Sequence, residues 1–245
     1  MRVLVKVKIM LDRLWLLALA PILLWQGRKV RQSTLRLPEA AGARVGHAGQ
    51  GQTLRLLLLG DSSAAGVGAA TQERALAGQL AQQLSLQYQV SWHVLARSGL
   101  TVEQLLCRLD TLVPVQDYDC VVLAVGVNDA IAGTQDARWL AQLQLLQERL
   151  STEFKVQHIF ISAIAPMQHF TALPRPLSDY LGRRARRINR LTEQMSQAHS
   201  GLSFMPINLG VNPEMLAEDG FHPSEQAYTL WAEQLAMSIK NIAWR

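Results

Sequence analysis

Short apolar runs, each cut off by glycine or polar turn residues, alternate along most of this chain with stretches of helical periodicity. Residues 54–59 form the first run, "LRLLLL", which stops at Gly60-Asp61-Ser62-Ser63. Similar runs at 89–95, 118–125, 158–164 and 202–207 predict four more strands. Between them, leucines at 76, 80 and 84 predict a helix over 71–87, and those at 140, 143, 146 and 150 predict one over 137–154. Further helices are expected over 101–112, 177–198 and 224–239, the first opening with a capping box formed by Thr101 and Gln104. Strands separated by helices need crossover connections. The expectation is therefore an α/β domain with a five-stranded, mainly parallel sheet and helices on both faces.

The first 53 residues break this rhythm. An uncharged stretch, "LWLLALAPILLWQG" at 14–27, lies between Arg13 and Arg28, with Trp15 and Trp25 near its ends. As a helix it would span only about 21 Å, against a hydrocarbon core of roughly 30 Å. Arginines snorkelling at both ends would lengthen it, and Pro21 sits badly after the Ala18-Leu19-Ala20 cleavage pattern. Residues 1–31 are read as an uncleaved membrane anchor or signal segment, with Met10 an alternative start. Residues 32–53, aperiodic and rich in Gly, Ala, Gln and Arg, are read as a linker, and 54–245 as the domain. The implied location is membrane-associated, in the cell envelope, with the side of the membrane open.

Charge follows the same division. Of the 24 Lys and Arg, eight lie in the first 36 residues beside one acid, Asp12. The remaining 209 residues carry 16 basic against 18 acidic side chains. The net charge of +5 is thus a property of the head, and nucleic acid is not an expected partner. A second basic cluster, "RRARRINR" at 183–190, falls in a helical stretch and reads as a solvated face. Cys107 and Cys120 fit neither a disulfide framework nor zinc spacing and are read as buried thiols. No metal and no cofactor are expected.

In a parallel sheet, the carboxyl ends of the strands form the edge that bears the site. That edge would carry Ser62, Gly99, Asn128 and the stretch containing Asp219 and His222. A serine hydroxyl needs a base to take its proton, and the base needs a third group to hold its tautomer. His222 lies in "EDGFHPS", with Asp219 three residues earlier and Pro223 limiting its backbone to extended conformations. His47, His93, His158 and His199 read as structural, while His169 is a possible substrate contact. The Gly99 N–H and the Asn128 amide could serve a developing oxyanion, although "GVND" alone also reads as a turn. Asp61 reads as structural, and Ser63 is a rival nucleophile only by proximity.

Four blocks, "GDSS", Gly99 in "RSGLT", "GVND" and "DGFHP", together resemble the SGNH hydrolases, or GDSL lipases and esterases, over roughly residues 54–242. The resemblance implies a three-layer, flavodoxin-like α/β/α sandwich. It also implies Ser62 as nucleophile, His222 as base, Asp219 orienting it, and Ser62 N–H, Gly99 N–H and Asn128 as the oxyanion hole. Ser63 stands where many members have leucine. The implied activity is hydrolysis of carboxylic (acyl) esters through an acyl-enzyme. Substrates could be small-molecule esters, lysophospholipids, thioesters or O-acetyl groups on an envelope glycan; a catalytically silent glycan- or lipid-binding module is the alternative of a different class. Pro174-Arg175-Pro176 could wall the acyl pocket. Phosphate-binding loops, a G-x-S-x-G elbow and HExxH are absent from the sequence.

Overall fold

A computed structural model describes residues 2–110, 117–210 and 212–244, with side chains from residue 18 onward. After a first helix, α1 (Arg2–Ser33), come strands β1 (Val45–Ala48) and β2 (Gln52–Gly60), then α2 (Leu76–Leu84). There follow β3 (Tyr88–Ala96), α3 (Val102–Leu109), β4 (Cys120–Ala124), α4 (Val127–Ala132) and α5 (Asp136–Glu153). β5 (His158–Ser162), α6 (Leu177–Gln197), β6 (Leu202–Met205) and α7 (Glu225–Lys240) complete the order. The strands form one sheet in the order β1-β3-β2-β4-β5-β6, parallel throughout except at β1.

The expected α/β sheet is present, with one strand more than expected. β1 comes from the stretch read as a linker and pairs antiparallel with β3 through Val45↔His93 to Ala48↔Val90. It is a half-exposed edge strand without an apolar run, so hydrophobic patterning alone does not reveal it. Thr101 caps α3 with both bonds of the expected capping box. The far end of the expected 101–112 helix lies partly outside the described residues. α2 begins at Leu76 rather than at residue 71, because 71–75 form a turn.

Alternation along β2 divides the core in two. Leu57 and Leu59 join Val121, Leu123 and Ile161 against α3, α5 and α6. Leu54, Leu56 and Leu58 join Val122 and Phe160 against α2 and α7. Successive side chains of a strand point to opposite faces, so a single leucine run supplies both layers. Gly60 closes the run where β2 passes β4: a Cβ there would stand 1.9 Å from the Ala124 carbonyl oxygen. The chain then leaves the sheet at a point where the connections diverge, since β3 lies on one side of β2 and β4 on the other. Such a switch point opens a crevice at the strands' carboxyl ends.

α1 is docked on the domain over its second half. Leu23 is buried in the core, with Leu19 and Val30 packed beside it. Among the described residues no helix is long and apolar enough to cross a membrane, so the expected anchor is not shown. Cys120 is buried as expected, but Cys107 lies on the solvent side of α3 and is exposed.

Candidate active site

The strand ends named from the sequence lie along one edge of the sheet, with Asn128 bonded to the loops after β2 and β3. Past β2, the Asp61 N–H donates to Ala124 O at 3.0 Å, and the chain curls so that Val67 N–H donates back to Ser62 O at 3.0 Å. The buried Tyr228 of α7 donates its hydroxyl to Val67 O at 2.8 Å and pins this curl from below. The curl is a turn, not a helix start: the next helix, α2, begins only at Leu76. The negative charge of an oxyanion at Ser62 would therefore meet local N–H groups rather than a helix dipole.

The Asp219–His222 turn comes from the other end of the chain. Gly220 sits there at φ +64°, a left-handed conformation that favours glycine, and a Cβ on it would meet Thr171 Oγ1 at 2.3 Å. The turn brings Asp219 Oδ2 to 2.6 Å from His222 Nδ1. Asp219 Oδ1 accepts from the N–H groups of Phe221 at 2.9 Å and His222 at 3.0 Å. Burial pushes the Asp219 carboxyl up, but these hydrogen bonds, the His222 ring's above all, outweigh it and hold the group below the usual carboxylate range. With Nδ1–H donating to a carboxylate, Nε2 carries the lone pair, and it lies 2.9 Å from Ser62 Oγ. Ser62, His222 and Asp219 thus form a continuous hydrogen-bonded line across 160 residues of sequence.

Asn128 and Gly99 are brought to the same corner. The Asn128 amide donates to Leu100 O at 3.0 Å and to Asp61 Oδ2 at 3.3 Å, tying together the neighbours of Gly99 and Ser62. Gly99 lies at φ +86° with open space where a Cβ would stand. Its N–H and that of Ser62 have no protein acceptor among the described residues. The "GVND" segment is a short helix, α4, rather than a plain turn. Its Asp129 is buried and accepts from Val102 N–H at 3.1 Å and from the Thr134 hydroxyl at 3.1 Å, fastening α3 to α4.

Two contributors were not evident from sequence. Glu39, in the presumed linker, accepts from Ser98 N–H at 2.7 Å and Ser98 Oγ at 2.8 Å while pairing with Arg44, and so holds the Gly99 loop. Ser63, at the position where the motif departs from leucine, donates from N–H at 3.1 Å and Oγ at 2.8 Å to Asp61 Oδ1. Asp61 is thereby gripped on one oxygen by Ser63 and on the other by Asn128. Ser63 spends its hydroxyl on this bond, whereas the Ser62 hydroxyl faces His222.

Burial pushes the Asp61 carboxyl up to about 6; the Ser63 bonds and nearby His222 oppose the rise, and Asp129 adds to it. A carboxyl raised in the folded state stabilises the fold below its unfolded value of 3.8, and that contribution is lost as pH rises through about 6. Asp61→Asn is therefore expected to gain stability relative to the parent between about pH 4 and pH 7.5, on the order of 3 kcal/mol. Denaturant melts at the two pH values measure this, and a pH-independent difference between the proteins contradicts it.

Beside Ser62 and His222 opens a cavity of about 90 Å³. Its walls are predominantly apolar: Ala163 and Ile164 after β5, Ile207 and Leu209 after β6, Met215, and Trp231 of α7. His169 and Phe170 line it too, whereas Pro174-Arg175-Pro176 does not, contrary to expectation. His93, His158 and His199 are held in structural contacts, to the Tyr118 hydroxyl at 2.8 Å, Ser203 Oγ at 2.8 Å and Met195 O at 2.9 Å.

The sequence and the fold have counterparts among known proteins. Residues 58–230 match the GDSL-like lipase/acylhydrolase family. The chain belongs to that family. It is 27% identical over 202 residues to a GDSL-like esterase of Mycobacterium tuberculosis, the match covering 77% of this chain and 62% of that protein. The chain thus spans less than two thirds of that relative's length. Its fold is similar to a lipase/acylhydrolase from Enterococcus faecalis (TM-score 0.58, 22% identity, 76% of this chain and 95% of that one). It is likewise similar to a family 3 carbohydrate esterase of Clostridium thermocellum (TM-score 0.61, 17% identity, 77% and 96%). At these identities the two structures establish the three-layer fold of the family member, and no more.

Proposed function

We propose that this GDSL-family chain hydrolyses carboxylic esters with an apolar acyl group, using Ser62 as nucleophile. The observation that carries the reading is the hydrogen-bonded line Ser62–His222–Asp219 at the edge of an apolar cavity. His222 Nε2 takes the Ser62 proton as Oγ attacks the ester carbonyl, and Asp219 steadies the imidazolium that results. The carbonyl oxygen, now negative, is met by the N–H groups of Ser62 and Gly99 and by the Asn128 N–H that exchanges its long 3.3 Å bond to Asp61 Oδ2 for the oxyanion. His222 then gives its proton to the leaving alcohol. A water, deprotonated by the same ring, releases the acid from Ser62.

Asn128→Ala is expected to lower kcat by roughly 10² to 10³-fold with little change in KM, because the amide acts on charge that exists only in the transition state. A variant within threefold of the parent in steady-state assays contradicts this role.

The choice of acyl group rests on the cavity. The relatives' names span lipase and carbohydrate esterase, so they do not decide it. An apolar enclosure favours an aliphatic or aryl acyl chain over an acetyl group presented by a polar glycan. The test is a p-nitrophenyl ester series from acetate to palmitate, offered to the full chain and to Ala163→Phe, which fills the cavity. The parent should prefer chains longer than acetate, and the variant should shift towards acetate. A parent preference for acetate, left unaltered by Ala163→Phe, points to the O-acetyl alternative.

A further inference from the structure

The two long sides of α1 differ sharply. Leu19, Leu23, Gln26 and Val30 recur at helical spacing and face the domain; Leu23 and Gln26 are buried. Gln26 is a clamp. Its amide donates to Arg175 O at 2.7 Å and its oxygen accepts from Leu177 N–H at 3.1 Å, at the start of α6. The loop ending there is the one that lines the cavity with His169 and Phe170. That loop also backs the catalytic turn: Ala172 N–H donates to Gly220 O at 3.1 Å, and the Phe170 ring packs against Phe221 at 5.0 Å.

Away from the domain, α1 exposes large apolar side chains together with basic ones. Ile22 is 46% exposed, Trp25 62% and Leu24 74%, an unusual outlay of large apolar side chains in solvent. Around and after them lie exposed Arg28, Lys29, Arg31 and Arg36, with no acid between residues 18 and 36. The Lys29 ammonium stands 5.3 Å over the Trp25 ring. An exposed tryptophan-leucine pair accompanied only by cations matches a membrane whose surface is anionic.

We propose that this side of α1 docks on an anionic phospholipid surface, lying on the membrane rather than crossing it, and that Gln26 holds the ester cavity beside that surface. The helix cannot span a bilayer over this stretch while Leu23 and Gln26 are buried against its own domain. The proposal deepens the ester-hydrolase reading, since apolar esters concentrate in lipid, but the docking itself does not depend on catalysis.

Flotation with phosphatidylcholine vesicles, with and without phosphatidylglycerol, tests it, using the full chain carrying Ser62→Ala so that binding is read apart from hydrolysis. Binding should need the anionic lipid and fall with salt. It should weaken roughly tenfold or more in Leu24→Ser/Trp25→Ser, and roughly fivefold for each of Arg28, Lys29 and Arg31 changed to Gln. Failure to bind anionic vesicles, binding indifferent to these changes, or a dimer in lipid-free solution that Leu24→Ser/Trp25→Ser dissolves would each overturn the docking. For the clamp, Gln26→Ala with Ser62 intact should still bind vesicles, yet lose hydrolysis of a vesicle-embedded ester relative to a soluble one. Equal loss on both substrates, or none, would overturn the clamp's part. If no ester is turned over while vesicle binding behaves as described, the ester-hydrolase reading fails and the docking stands.

Discussion

Ser62→Ala is expected to lower kcat for a preferred ester by on the order of 10⁴-fold or more, leaving a folded protein with nearly unchanged stability. The hydroxyl makes one bond within the site, to His222 Nε2 at 2.9 Å, and its loss leaves the ring anchored by Asp219. The backbone curl stays, because it is held by Ala124 O, Val67 N–H and the Tyr228 hydroxyl. Circular dichroism and thermal melts should superimpose on those of the parent. A variant with a tenth of the parent's kcat would place the nucleophile elsewhere, with Ser63 the first residue to examine.

Asp219→Asn is expected to cost about 10⁴-fold in kcat through the tautomer of its neighbour. The Asn oxygen can still accept from the Phe221 and His222 backbone N–H groups, so the turn survives. Where Oδ2 stood, however, an amide would present a donor to His222 Nδ1. The ring would then carry its proton on Nε2 and could not accept from Ser62. The same substitution alters the acid limb of stability. A carboxylate held below its usual range stabilises the fold above the unfolded pKa and loses that contribution as pH falls through the folded one. The parent should therefore lose stability relative to Asp219→Asn on acidification. Activity within tenfold of the parent would remove Asp219 from the mechanism.

The strand ends were legible because each is a short apolar run with an abrupt polar stop, and a parallel sheet sends all those stops to one edge. Ser62 and His222 were paired through the four blocks that resemble the GDSL lipases and esterases; Gly220 and Pro223 mark the turn around the histidine without naming its partner. What escaped notice has a common cause: side chains whose partners are remote and whose own neighbourhood is unremarkable. β1 is a four-residue, half-exposed edge, defined by pairing with β3 rather than by burial. Glu39 reaches Ser98 across 59 residues, and Gln26 reaches Leu177 across 151. Asp61 was recognisable as a turn residue, but not its grip by Ser63 and Asn128. The apolar stretch at 14–27 shows the limit of composition most plainly. It reads as a membrane segment, yet among its described side chains Leu23 and Gln26 are buried against the domain while Ile22, Leu24 and Trp25 are exposed.

The central claim, that the Ser62 hydroxyl is activated by His222, is tested most directly by covalent labelling with a fluorophosphonate, read by intact mass and peptide mapping. The predicted result is one adduct per chain, on Ser62, formed rapidly by the parent and abolished or greatly slowed in His222→Ala. An adduct on Ser63, or labelling of Ser62 at the same rate without His222, would contradict it.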